Sequence, residues 1–242
     1  MNLDFSFNAE LLIIHIVIYS FIFFIFLKIR RKIIDKRLVE SVTSFDRGTE
    51  SERGLILGLI KKGFPASSIF HDLYVKKSDG KFSQVDLVIA TKQGIIVVEV
   101  KSASGWIYGS ANQTNWTKTL AYGKIKHRFY NPIKQNINHI KALKETSKQF
   151  ENIPFFSVIA FFGDCELKKI DYVPRDTYVT SAHRIFEALD IITKNNEPAP
   201  YYDKFEVINI LKNAVQNGEN DMIINKHKND IEDMLGTNRI LK

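Results

Sequence analysis

Cysteine occurs once in this 242-residue chain, at Cys165. No disulfide framework is possible within the chain, which suits a reducing compartment. The scarcity also excludes a zinc site of the Cys/His type. His127 and His139 stand isolated in the sequence and read as polar surface or core positions rather than ligands. No glycine-rich loop of the phosphate-cradling kind is present, and there is no internal repeat. Residues 1–27 lack lysine and arginine, and Leu11 to Leu27 carry no charge of either sign.

That uncharged run, LLIIHIVIYSFIFFIFL, would make a helix about 25 Å long, slightly short of a hydrocarbon core of about 30 Å. Ala9 extends it, and Lys28 can snorkel. His15 is neutral near pH 7 and lies toward one end, where its cost is tolerable. A core helix seldom carries bulky apolar residues on every face. A secretory signal needs a basic start and a small-residue cleavage site, whereas here Asp4 and Glu10 precede the run and Lys28-Ile29-Arg30-Arg31-Lys32 follows it. The run therefore reads as a permanent single-pass anchor in the lipid bilayer. Residues 28–37 hold six Lys/Arg against one Asp, which assigns that side to the cytoplasm. The expected organisation is an extracytoplasmic tail (1–10), a transmembrane helix (11–27), a basic juxtamembrane segment (28–45) and a cytoplasmic remainder, placing the protein at the cell membrane. The juxtamembrane decapeptide supplies +5 of the formal +7 charge. The basic balance is thus largely an orientation signal, although such residues also bind anionic headgroups.

The informative stretch of the remainder is Gly94-Ile95-Ile96-Val97-Val98-Glu99-Val100-Lys101. It is dense in β-branched residues and reads as a strand. Apolar residues on both alternating faces suit a strand covered on both sides. Glu99 and Lys101 interrupt this pattern and project to the same face, where charge is costly unless paired, hydrated or metal-bound. Asp86 lies in another apolar run, Val85 to Ala90, and Thr91-Lys92-Gln93-Gly94 between the runs reads as a tight turn. A hairpin brings Asp86 beside Glu99 and Lys101. Two acidic groups there can hold a hard divalent cation, with an ammonium alongside.

Asp followed by Glu-x-Lys resembles the core of the PD-(D/E)xK nuclease superfamily. Four further pieces narrow the resemblance to the nuclease-related domain (NERD) family: Gly48-Thr49-Glu50-Ser51-Glu52, Gln84-Val85-Asp86, Gly105-Trp106-Ile107-Tyr108-Gly109 and Asn131-Pro132-Ile133-Lys134-Gln135. The resemblance covers roughly residues 46–163 and leaves 164–242 as a mostly helical extension. It implies an α/β, restriction-endonuclease-like core: a central mixed sheet flanked by helices. It further implies a nuclease dependent on Mg²⁺ or Mn²⁺, with DNA ahead of RNA as substrate. Asp86, Glu99 and the main-chain carbonyl of Val100 would hold the metal; Lys101, Glu52 and Gln135 would serve catalysis. Ser51 stands where the family usually has a glycine, and register favours Glu52 over Glu50. The alternative is a non-catalytic module that binds nucleic acid or protein at the membrane.

From spacing alone Glu52 is a first-turn helix carboxylate and Gln135 a surface glutamine. The helix over residues 50–62 has an apolar face of Leu55, Ile56, Leu59 and Ile60 and ends at Gly63-Phe64-Pro65. Asn131 caps and Pro132 opens a helix running to about Phe150, with Ile133, Ile137, Ile140 and Leu143 as its expected apolar stripe. Lys124, Lys126 and Arg128 lie among aromatic residues over Tyr122 to Tyr130. Such a segment either contacts phosphates and stacks on bases or is a solvated hairpin. Strands are expected at Ile69–Lys76, Phe155–Phe162 and around Tyr178–Thr180. Further helices are expected over residues 183–192, 203–216 and 219–235.

Overall fold

The computed structural model describes residues 5–120 and 123–235, with side chains from 11 to 232. Tyr122 and the first four residues of the expected tail lie outside the described residues.

Helix α1 (Phe5–Glu40) runs through the tail, the apolar run and the basic segment without a break. At 1.5 Å per residue it is about 54 Å long. It is long and apolar enough to cross a membrane, and none of its most apolar stretch is buried in the protein. The ring of His15 is satisfied within the helix, 2.7 Å from the Leu11 carbonyl. The far end of α1 packs against α2 (Glu50–Lys61). Val39 is buried there, and Asp35 pairs with Lys61 at 2.6 Å.

The main sheet has the order β1-β2-β3-β7-β9. Strands β1 (Ile69–Lys76), β2 (Phe82–Thr91) and β3 (Gly94–Ser102) form an antiparallel meander; β7 (Phe155–Phe162) and β9 (Thr177–Ser181) add in parallel. The unbroken apolar run of β3 follows from burial of both faces. Ile96, Val98 and Val100 pack with Leu55, Ile56 and Leu59 of α2 and with Ile185, Leu189 and Ile192 of α4 (Ile185–Asn195). Ile95 and Val97 pack on the other side with Ala142 and Leu143 of α3 (Pro132–Thr146) and with Val207 and Leu211 of α5 (Lys204–Asn217).

The parallel pair β3/β7 continues past a bend into a second sheet, ordered β6-β5-β4-β8. Its strands are β4 (Gly105–Ser110), β5 (Asn115–Leu120), β6 (Ile125–Tyr130) and β8 (Cys165–Asp171). Bonds from Ala103 N to Phe162 O and from Gly105 N to Asp164 O, both 2.8 Å, carry the ladder across the bend. Gly163 makes the bend possible: its φ is +90°, and a Cβ there would stand 2.5 Å from the Ala103 carbonyl oxygen. Beyond this bend, β8 pairs with β4 and β9 with β7. The described C-terminal residues further on carry helices α4, α5 and α6 (Asp221–Leu235).

The stripe expected on α3 is displaced. Ile137 is exposed, whereas Asn136 and His139 are buried. Asn136 holds its place by donating to Val97 O at 2.9 Å and Ser157 Oγ at 2.8 Å.

Candidate active site

The β2–β3 ladder runs up to the pair Leu87–Val98. One step further, Val100 N donates not to a backbone carbonyl but to the carboxylate of Asp86, at 2.8 Å. A strand residue presents its N–H and C=O to the same edge, so the Val100 carbonyl faces the gap that Asp86 occupies. Glu99, on the α3 side of β3, is fully buried. Lys101 Nζ is 2.5 Å from Glu99 Oε1, and His139 Nε2 is 3.2 Å from Oε2. Although these contacts are close, neither is aligned as a hydrogen bond, and both Glu99 oxygens are without one. Lys101 Nζ instead donates to Gln135 Oε1 at 3.1 Å.

Asn131 aims the start of α3 at this point. Its Oδ1 caps the helix by accepting from Ile133 N at 2.9 Å. Its amide donates to the carbonyls of Ser110, Ala111 and Gln113. Gln135 and His139 are one turn apart and share a helix face. His139 is braced from behind by Ser83 Oγ, 2.8 Å from Nδ1.

Glu52 enters from α2. Thr49 caps that helix, accepting from Glu52 N at 3.3 Å and donating to Glu52 Oε1 at 2.7 Å, a capping-box arrangement. The other oxygen of Glu52 meets His71 Nε2 at 2.9 Å, and His71 Nδ1 meets Thr43 Oγ1 at 2.7 Å. Gly48, with φ +64°, leaves room for this contact, because a Cβ there would fall on the His71 ring and on Glu52 Oε2. Ser51 Oγ and Ser102 Oγ, 2.9 Å apart, pin the start of α2 to the end of β3.

The charges share one field. Burial, then the negative charge of Glu99, pushes the Asp86 carboxyl well above the usual carboxylate range; Glu52 adds to this, and Val100 N–H and Lys101 oppose it. Burial also works to raise Glu52, but hydrogen bonds from His71 and Thr49 outweigh it and leave that group lowered. The donor set fits a hard divalent cation: two carboxylates whose repulsion an ion would relieve, one lacking aligned hydrogen bonds, and a main-chain carbonyl at the same edge. Among the described residues no three His, Cys, Asp or Glu side chains form a ready cage. The carbonyl and water would therefore have to complete the coordination shell, as suits an ion that keeps several waters.

Of the residues expected from the sequence, Asp86, Glu99, Val100, Lys101 and Gln135 are brought together directly. Glu52 joins them through the field it exerts on Asp86. Lys126 and Arg128 are exposed on β6, with Lys124 just before it. None of these three lines the cleft of about 830 Å³ that opens beside Asp86, Gln135 and His139, although Tyr130 at the end of β6 does. A smaller cavity, of about 330 Å³, lies at the bend between the sheets beside Trp106 and Cys165 and holds none of the clustered residues.

His139 and His71 were not singled out as site residues from the sequence. The spacing of four between Gln135 and His139 was a usable signal for the first. His71 carries no such signal, since its partners lie 19 and 28 residues away.

Residues 47–162 match the family described as nuclease-related domain. An uncharacterized protein of Bacillus anthracis is 28% identical over 175 residues, covering 70% of this chain and 80% of the relative. No solved structure matches significantly. With its Asp86, Glu99 and Lys101 on paired strands between the α2 and α3 starts, the segment 47–162 belongs to the NERD family of the PD-(D/E)xK-like nuclease superfamily.

Proposed function

We propose that the chain is a membrane-anchored, cytoplasm-facing nuclease that hydrolyses phosphodiester bonds with Mg²⁺ or Mn²⁺, and that DNA rather than RNA is its substrate. Asp86, Glu99 and the Val100 carbonyl would hold the cation. When bound, it polarises the phosphate and acidifies a water. Lys101 orients that water or stabilises the negative charge developing on the phosphate. Gln135, already bonded to Lys101 Nζ, holds the water or a phosphate oxygen. Glu52, fixed by His71 and Thr49, would complete the metal shell or hold a second ion. Lys124, Lys126 and Arg128 contact the nucleic-acid backbone. The α1 apolar run anchors the protein, and the basic residues after Leu27 keep the domain inside.

The observation that carries this reading is Glu99: a fully buried carboxylate without an aligned hydrogen bond, close enough to Asp86 to help push that carboxyl up. Two carboxylates sharing one field are costly without a cation to share. The test is cleavage of single- and double-stranded DNA and RNA by the full chain in detergent, with and without Mg²⁺ or Mn²⁺. Metal-dependent cleavage lost in Asp86→Ala is the expected result. No cleavage of any of the four substrates would leave a non-catalytic tethered module. The 2.5 Å Lys101–Glu99 contact favours that second reading, because such a pair needs no metal.

A further inference from the structure

The cleft beside the carboxylates is not built by the family domain alone. Asp86, Gln135 and His139 line one part of it; His227, Asp230 and Ile231 of α6 line another. Helix α6 lies outside the matched residues 47–162, and specific contacts dock it. Lys226 Nζ donates to Gly80 O at 3.0 Å and lies over the Phe82 ring. The His227 ring stands edge-on to Tyr74, with centroids 5.4 Å apart.

This docking places two polar side chains, one helical turn apart, in the wall of the cleft. His227 is only 9% exposed. Its Nδ1 and the Asp230 Oδ2 atom are buried without a hydrogen-bond partner. Native structures rarely leave such atoms unsatisfied, so each calls for an explanation. A hard divalent cation suits the pair poorly, because α6 brings one carboxylate and one nitrogen ligand rather than the two carboxylates of Asp86 and Glu99. A phosphate does not fit either, since it would meet the Asp230 carboxylate. Burial, assisted by His139 and Lys77 and opposed by a hydrogen bond to the Phe82 backbone and by the Asp230 charge, lowers the proton affinity of His227. A neutral imidazole offers one donor and one acceptor. Lys81 also lines the cleft and suits a phosphate of the bound nucleotide, while Lys77 and Lys141 there pair with Asp79 and Glu145 of the same wall.

We propose that this part of the cleft is a base-binding subsite: it takes one unstacked, amino-bearing nucleobase of the substrate strand, with Asp230 accepting from the exocyclic amine and His227 Nδ1 bonding the base edge. The inference rests on the nuclease reading for its substrate class and adds a base preference to it. Cytosine offers an exocyclic amine to a carboxylate. Thymine has a carbonyl oxygen in place of that amine, which the carboxylate repels.

The test uses the full chain in detergent micelles with EDTA, so that binding is read without turnover. Labelled short oligodeoxycytidylate and oligothymidylate are the probes, followed by fluorescence anisotropy. The expected result is tighter binding of oligodeoxycytidylate, about tenfold or more as for a good carboxylate–amine readout. Asp230→Asn should shrink the difference to about twofold without moving the melting temperature. Competition by free deoxycytidine and thymidine monophosphates on the wild-type chain gives a second reading that needs no variant, and the cytidine nucleotide should win by a similar factor. Equal binding of the two oligomers, or a preference unchanged in Asp230→Asn, overturns the subsite and leaves the nuclease reading standing. Binding of neither oligomer also overturns the subsite, whereas the nuclease reading stands or falls by the cleavage assay with Mg²⁺ or Mn²⁺.

Discussion

Lys101→Ala separates the two roles that its ammonium can play. The side chain is 28% exposed, and its partner Glu99 is fully buried. Removing one member of a buried pair typically costs 3–5 kcal/mol, because the remaining charge is uncompensated. The contact is not aligned as a hydrogen bond, and water reaches Lys101, so the lower end, about 3 kcal/mol, is expected here. Without metal the variant should melt early. Saturating Mg²⁺ should restore most of the loss, because the departing positive charge also frees the carboxylates for a cation. At 100 times Kd, binding contributes about 2.7 kcal/mol. Cleavage should fall on the order of 10²-fold or more even with metal bound, as for removal of a preorganised charge at a developing anion. Calorimetric melting with and without Mg²⁺, together with turnover on the same preparation, checks all three. Unchanged metal-free melting would mean that Lys101 is not the counter-ion of Glu99, and unchanged turnover would remove it from the chemistry.

Asp86 should make the metal-free protein more stable in mild acid than at neutral pH. Its raised carboxyl binds a proton more tightly folded than unfolded, so the stability it contributes is lost as pH rises from the ordinary carboxylate range through its raised value. Asp86→Asn keeps an acceptor for Val100 N and should flatten that slope and melt higher near pH 7; a lower melting temperature at neutral pH without metal would contradict the assignment. Gly48→Ala forces a Cβ onto His71 and Glu52 at φ +64° and should cost about 2 kcal/mol or more from backbone strain alone, measurable by urea unfolding. A reporter at the C-terminus should be cytoplasmic and the folded domain should resist protease added outside intact cells; digestion from outside would reverse the proposed orientation.

The parts legible in the sequence were those with local chemistry. The β3 run, the Glu99/Lys101 alternation, the first-turn place of Glu52 and the Asn131-Pro132 start all act within a few residues of themselves. What stayed hidden depended on distant partners. Ile137 fits an apolar stripe, yet α3 turns Asn136 and His139 inward because Val97, Ser157 and Ser83 are there to bond them. Asp72 adopts φ +54° in the middle of β1, next to His71, held by Arg47 Nε at 3.0 Å and Gln84 Nε2 at 2.7 Å. Neither partner is near in sequence. The sheet bend at Gly163 was equally invisible, since a lone glycine says nothing of the carbonyl it must clear.

The unbroken helix from Phe5 to Glu40 has a consequence in angle rather than distance. It leaves no swivel between the apolar run and the Val39 and Asp35 contacts that fasten it to the domain. Each residue of an α-helix advances the azimuth by about 100°. One residue added between Leu27 and Asp35 would therefore swing the cleft about a quarter-turn around the helix axis. Seven added residues, about two turns, would return it to nearly its original heading roughly 10 Å further out. The helical phase of a few basic residues thus sets the heading of the cleft relative to the faces of the apolar run.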